Sequence, residues 1–194
     1  MRSRPILYWA AIVLPIFLTR CAKEEAKPQQ LLVNGNFENG NTVPTDWGYI
    51  TEKDIYNGEW SDKEFVSPSK SAKISSLKSD TTLFSFWYQT ITENLPFGKD
   101  VTLKVKIKGN MLGKGISIAI RTDDTTTPSG RAEQFITTEK LSPITGSFNW
   151  SERIITLANV KPTSMSITVY FIYLPNTTGE VYFDNASLTY LAQI

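Results

Sequence analysis

Histidine is absent from the 194 residues, and cysteine occurs once, at Cys21. The first absence excludes a Ser-His-Asp or Cys-His nucleophile pair and any His-ligated zinc; the second excludes an internal disulfide. An excess of one charge is missing too. With 20 Lys and Arg against 19 Asp and Glu, the chain lacks the electrostatic footprint of a nucleic-acid binder, and no nucleic-acid partner is expected. No Gly-rich phosphate loop or dinucleotide fingerprint occurs. Carboxylate, Lys, Tyr or metal–oxygen chemistry remains open, but the acidic pair Asp123-Asp124 is adjacent on an extended segment and its side chains diverge. Glycosidases place two carboxyl groups across the scissile bond, which adjacency does not supply. The expectation is a protein that is not an enzyme, with Asp123 to Gly130 an exposed loop of turn-forming residues.

At the N-terminus, Arg2 and Arg4 precede the apolar run Ile6 to Leu18. A spanning helix needs roughly 20 apolar residues, and this shorter run contains Pro15, so residues 1–20 read as an export signal. Leu18-Thr19-Arg20-Cys21 resembles a bacterial lipobox, which implies acylation of Cys21; Arg20 departs from the small residue usual at its position. Residues 21–30 are polar and charged and read as a flexible tether. Within them, Cys21-Ala22-Lys23-Glu24-Glu25 resembles the export signal of Bacteroidota surface lipoproteins. That resemblance implies an outer-membrane protein at the cell surface, in contact with the membrane through its lipid alone. Removal of residues 1–20 would take three arginines and leave 17 basic against 19 acidic side chains, a nearly neutral domain.

From Leu31 onward the pattern is all β. Val101, Leu103, Val105 and Ile107 alternate with Thr102, Lys104, Lys106 and Lys108, as a half-buried strand requires. Gly109 to Gly115 reads as a turn-rich link to a second alternating segment, Gly115 to Arg121, with which the first is expected to pair antiparallel. Further strands are expected over Trp47 to Thr51, Ser71 to Ser76, Leu83 to Thr92, Phe135 to Thr138, Ser151 to Leu157, Met165 to Leu174 and Gly179 to Leu191. After the signal no helical period lasts beyond two turns. Many short strands in one domain, residues 31–194, predict a jelly-roll β-sandwich of two antiparallel sheets.

Leu31-Leu32-Val33-Asn34-Gly35-Asn36-Phe37-Glu38, followed by Trp47, resembles the opening of galactose-binding-like β-sandwiches, in particular carbohydrate-binding modules of the xylan- and glucan-binding groups. Val181-Tyr182-Phe183-Asp184-Asn185-Ala186-Ser187-Leu188 is similar to their last strand. Ser69 to Ile74, Trp87-Tyr88-Gln89 and Trp150-Ser151 fall at matching places, so the resemblance covers nearly all of Leu31 to Leu191. It implies a structural Ca²⁺ joining first and last strands, with Glu38 and Asp184 as carboxylate ligands and backbone carbonyls near Asn36 and Lys70 beside them. The alternative for the same residues is that Glu38 caps backbone amides and Asp184 forms a turn or bulge with Asn185.

The resemblance also implies binding of a polysaccharide or oligosaccharide without catalysis. Aromatic rings stack on sugar faces in such sites. Trp60, in the polar segment Tyr56 to Asp62, is expected to be an exposed platform. Trp47 and Trp150 are assigned to packing. If Ile116, Ile118 and Ile120 face the core, Arg121 faces outward; with Met165, Ile167, Val169 and Phe171 inward, Tyr170 joins it on an open face. Leu83 to Thr92 is apolar on both faces, so the period leaves both Trp87 and Tyr88 as candidates. The competing function is a docking or scaffolding lipoprotein with an envelope protein as its partner.

Overall fold

The computed structural model describes residues 26–51, 54–78, 82–128 and 130–192. The export signal, Cys21 and the K-E-E run lie outside them. Among the described residues no helix occurs, and ten strands form a single antiparallel sheet folded into a β-sandwich of jelly-roll type: β1 (Pro28–Gln30), β2 (Gly48–Ile50), β3 (Tyr56–Ser61), β4 (Ser71–Ser76), β5 (Ser85–Ile91), β6 (Val101–Asp123), β7 (Gln134–Thr137), β8 (Ile144–Leu157), β9 (Ser166–Tyr173) and β10 (Glu180–Leu191).

The two segments expected to pair with each other are instead one strand. Residues 101–109 of β6 lie between β10 and β8, and residues 116–123 lie between β9 and β7. Gly109 to Gly115 does not reverse the chain. Met111 and Gly115 take positive φ (55° and 104°), and the register with β8 shifts three times between Ile107 and Ile116. Such irregularities bend a strand and let it cross from one layer to the other. The first layer is then β3-β4-β10-β6-β8, with β1 beside β10. The second is β2-β5-β9-β6-β7.

The layers bury the alternate residues the period marks, among them Val101, Leu103, Val105, Ile107, Ile116, Ile118, Ile120, Ile167, Val169 and Phe171. An aromatic column joins them: Phe37 lies 4.8 Å from Trp47, Trp47 stacks at 5.1 Å on Phe171 of the second layer, and Phe171 stacks at 4.9 Å on Phe183 of the first. Three expectations are corrected. Met165 is exposed ahead of β9 rather than turned inward. The polar segment around Trp60 is the edge strand β3, paired with β4. Pro28–Gln30, assigned to the tether, pairs with residues 189–191 of β10, so the ordered domain begins before Leu31.

Candidate functional site

The N-terminal motif is built for packing. Asn34 Nδ2 donates to the carbonyls of Asn39 (2.7 Å) and Thr45 (3.0 Å), and its Oδ1 accepts from Asn39 N (3.0 Å), which closes the loop. A Cβ on Gly35 would stand 2.0 Å from the Ala186 carbonyl oxygen, so only glycine fits against the last strand. Phe37 enters the core, and Glu38 accepts hydrogen bonds from Ser69 N and, at 3.0 Å, Lys70 N. Asp184, fully buried, accepts from Val66 N (2.6 Å), Ser67 N (2.9 Å) and Asn185 N (2.6 Å), where β10 carries a bulge. Ser67 Oγ lies 3.1 Å from Asp184 Oδ1 and 3.5 Å from the Asn36 carbonyl.

Both carboxylates therefore cap the turn at residues 66–70. The amides satisfy their oxygens but bring no countercharge: burial raises the Asp184 carboxyl above its ordinary range, against the hydrogen bonds from Val66, Ser67 and Asn185. No group of three or more His, Cys, Asp or Glu side chains suited to a metal occurs among the described residues. The fit to calcium thus consists of two carboxylates that converge on one short turn, with the Asn36 carbonyl beside them. The Lys70 group that faces Glu38 is its N–H, not an oxygen.

The aromatic candidates separate. Trp60 is half-buried against the core, its Nε1 donates to the Phe37 carbonyl at 2.6 Å, and Lys70 Nζ sits 5.1 Å from its ring centroid. It is a packing residue, not an exposed platform, because the edge strand turns the indole onto the N-terminal loop. Trp87 is 2% exposed, donates to the Lys73 carbonyl at 3.1 Å and packs on Tyr49 at 4.8 Å. It too is removed from any ligand surface. Tyr88, one residue along, takes the opposite face.

On that face Tyr88 is the cross-strand partner of Tyr170, with ring centroids 6.3 Å apart and planes at 28°. Phe86 completes the cluster, 6.0 Å from Tyr88 and 5.4 Å from Tyr170. These three rings, with Ile50, Thr90 and Pro128, line a groove of about 620 Å³ along the second layer. Arg121, on the same face of β6, grips Asp123 through Nε (2.8 Å to Oδ2) and Nη2 (2.6 Å to Oδ1) and donates to the Gly130 carbonyl at 3.0 Å. Asp123 is thus the fully buried end of β6, not part of an exposed loop. Burial raises the Tyr170 phenol above its ordinary value, and the Arg121 charge partly offsets this, so the hydroxyl keeps its proton near neutrality. Phe86 and Ile50 were not singled out in the sequence. The signal for Phe86 was its two-residue spacing from Tyr88, readable only once Trp87 is known to face the core.

No family model and no curated protein match the chain. Solved structures do. A cyclase from Fischerella sp. TAU superposes with TM-score 0.61 at 13% identity, over 87% of this chain and 100% of the other. The enzymatically active domain of bacteriophage CBA120 tailspike protein 4 gives 0.60 at 18%, over 84% of this chain, which spans only 21% of that one. TmCBM61, solved with β-1,4-galactotriose, gives 0.53 at 15%, over 82% and 97%. CBM4 and CBM22 modules, the latter the xylan-binding domain of Paenibacillus barcinonensis Xyn10C, match at TM-score 0.55 and at 16% and 11% identity. The likeness is one of fold. It places the chain among β-sandwiches that include carbohydrate-binding modules, without fixing what this groove takes.

Proposed function

We propose that the protein binds carbohydrate without cleaving it, through the groove of the second layer. The observation that carries this reading is the Phe86, Tyr88 and Tyr170 cluster on one open face. Flat rings of this kind stack on pyranose faces, while the Tyr170 hydroxyl and the neighbouring threonines offer hydrogen bonds to sugar hydroxyls. The galactotriose- and xylan-binding modules with the same fold support it. Non-catalytic action is supported by Asp123, whose buried carboxylate is occupied by Arg121, so the Asp123-Asp124 pair offers no two free carboxyl groups to a glycosidic bond. The lipobox-like Cys21 and the K-E-E run support an acylated outer-membrane protein that holds glycan at the cell surface. Where Ca²⁺ binds, Glu38 and Asp184 are its carboxylate ligands; it would supply the countercharge that the amide donors to Asp184 lack.

Affinity electrophoresis against a broad set of plant, algal and host polysaccharides tests the proposal. Saturable retardation by at least one, weakened in Tyr88→Ala and Tyr170→Ala proteins that still melt cooperatively, is the expected result. Inert behaviour throughout, with an envelope protein recovered by cross-linking at this face, would transfer the function to docking.

A further inference from the structure

No charged side chain lines the groove among the described residues. On its β6 side Arg121 and Asp123 are spent on each other, and Arg121 also serves the Gly130 carbonyl. The opposite end differs. Through Thr90 and Thr92 the groove adjoins a second hollow of about 350 Å³, whose wall carries Asp46 and Glu93 and no base. Both carboxylates are exposed, and neither forms an ion pair with a described residue.

We infer that Asp46 and Glu93 determine the charge selectivity of the site: a polysaccharide chain that extends from Tyr170 past Thr90 reaches two uncompensated carboxylates, so neutral or amine-bearing glycans are accepted and uronate or sulfated ones rejected. The inference rests on the carbohydrate reading above. Its basis is Coulombic. Two like charges about 4 Å apart in water repel enough to weaken binding roughly five-fold, and salt near 1 M, where the Debye length is about 3 Å, screens the effect. The self-neutralised Arg121 offers no anchor that would reverse the sign.

The test uses matched polysaccharides, namely galactan with polygalacturonate and hydroxyethylcellulose with carboxymethylcellulose, in affinity gels at low and high salt. The wild type should bind a neutral member about five-fold more tightly than its acidic counterpart. The double variant Asp46→Asn, Glu93→Gln should gain about five-fold for the acidic member at low salt, keep its affinity for the neutral one, and lose the gain at high salt. Retention of the acidic member by wild type as strong as that of the neutral one, and weakened by Tyr170→Ala, would overturn the charge inference and leave the carbohydrate reading intact. An unchanged neutral-to-acidic ratio in the double variant would also overturn it. Failure of every polysaccharide to bind would remove both.

Discussion

Tyr88 and Tyr170 stand directly opposite one another on β5 and β9, while their neighbours Trp87 and Phe171, also a direct pair, face the core. The same two strands thus hold up the sandwich with one set of rings and offer a surface with the other.

Truncation of either set has separable consequences. Tyr88→Ala or Tyr170→Ala should weaken glycan retention by roughly 0.5–1.5 kcal/mol, about two- to twelve-fold, with little change in melting temperature. Trp87→Ala should cost about 3–5 kcal/mol of stability, which a denaturant titration would read.

Trp60→Phe tests the packing assignment. It keeps a ring but removes the indole N–H that serves the Phe37 carbonyl. A loss of about 1 kcal/mol is expected, seen as a melting temperature lower by about 2–4 °C, with glycan retention unchanged. Lost retention in a fully stable variant would return Trp60 to the ligand surface.

Calcium should raise the melting temperature of chelated protein, since a ligand that binds only the folded state stabilises it by mass action. Glu38→Gln and Asp184→Asn should each remove most of that rise. Identical melting curves in calcium and in chelator would leave the amide caps at residues 66–70 as the whole role of the pair.

On the outer face of the first layer, Lys73 bridges β3 and β10, with Nζ 2.9 Å from Glu180 and 3.7 Å from Glu59. Burial alone would raise the Glu180 carboxyl, but hydrogen bonds from Lys73 and Asn110 and the Lys73 charge outweigh it and bring it below the ordinary range. A lowered carboxylate contributes stability that is complete above its unfolded value, near pH 4.5, and is lost as pH falls through the folded one. Melting temperature measured between pH 6 and pH 2.5 should therefore fall less steeply in Lys73→Met than in the wild type.

Cys21→Ala should abolish acylation and shift the protein from the membrane to the soluble fraction of cells that express it. An unchanged mature mass and unchanged membrane retention would favour an uncleaved signal as the anchor.

Alternation alone determined the all-β class and the strands β4, β9 and β10 to within about a residue, because the two-residue period is local and sets most of the apolar side chains of each on one face. The fate of Gly109 to Gly115 was not local. A reversing turn and a bent crossing use the same glycines and the same positive φ, and only the pairing partners, β10 and β8 on one side and β9 and β7 on the other, decide between them. Trp60 was misplaced for a related reason: its charged neighbours marked a loop, but strand addition to β4 and the Phe37 carbonyl are contacts made by residues distant in sequence. The strand from Leu83 to Thr92, apolar on both faces, left Trp87 and Tyr88 undecided until Tyr49 and the Lys73 carbonyl closed over the indole. The amino-acid sequence by itself excluded histidine-based nucleophile pairs, His-ligated zinc and an internal disulfide, because it has no histidine and a single cysteine. Tertiary structure decided which rings remained open to solvent, because exposure depends on what the opposite layer and the loops cover.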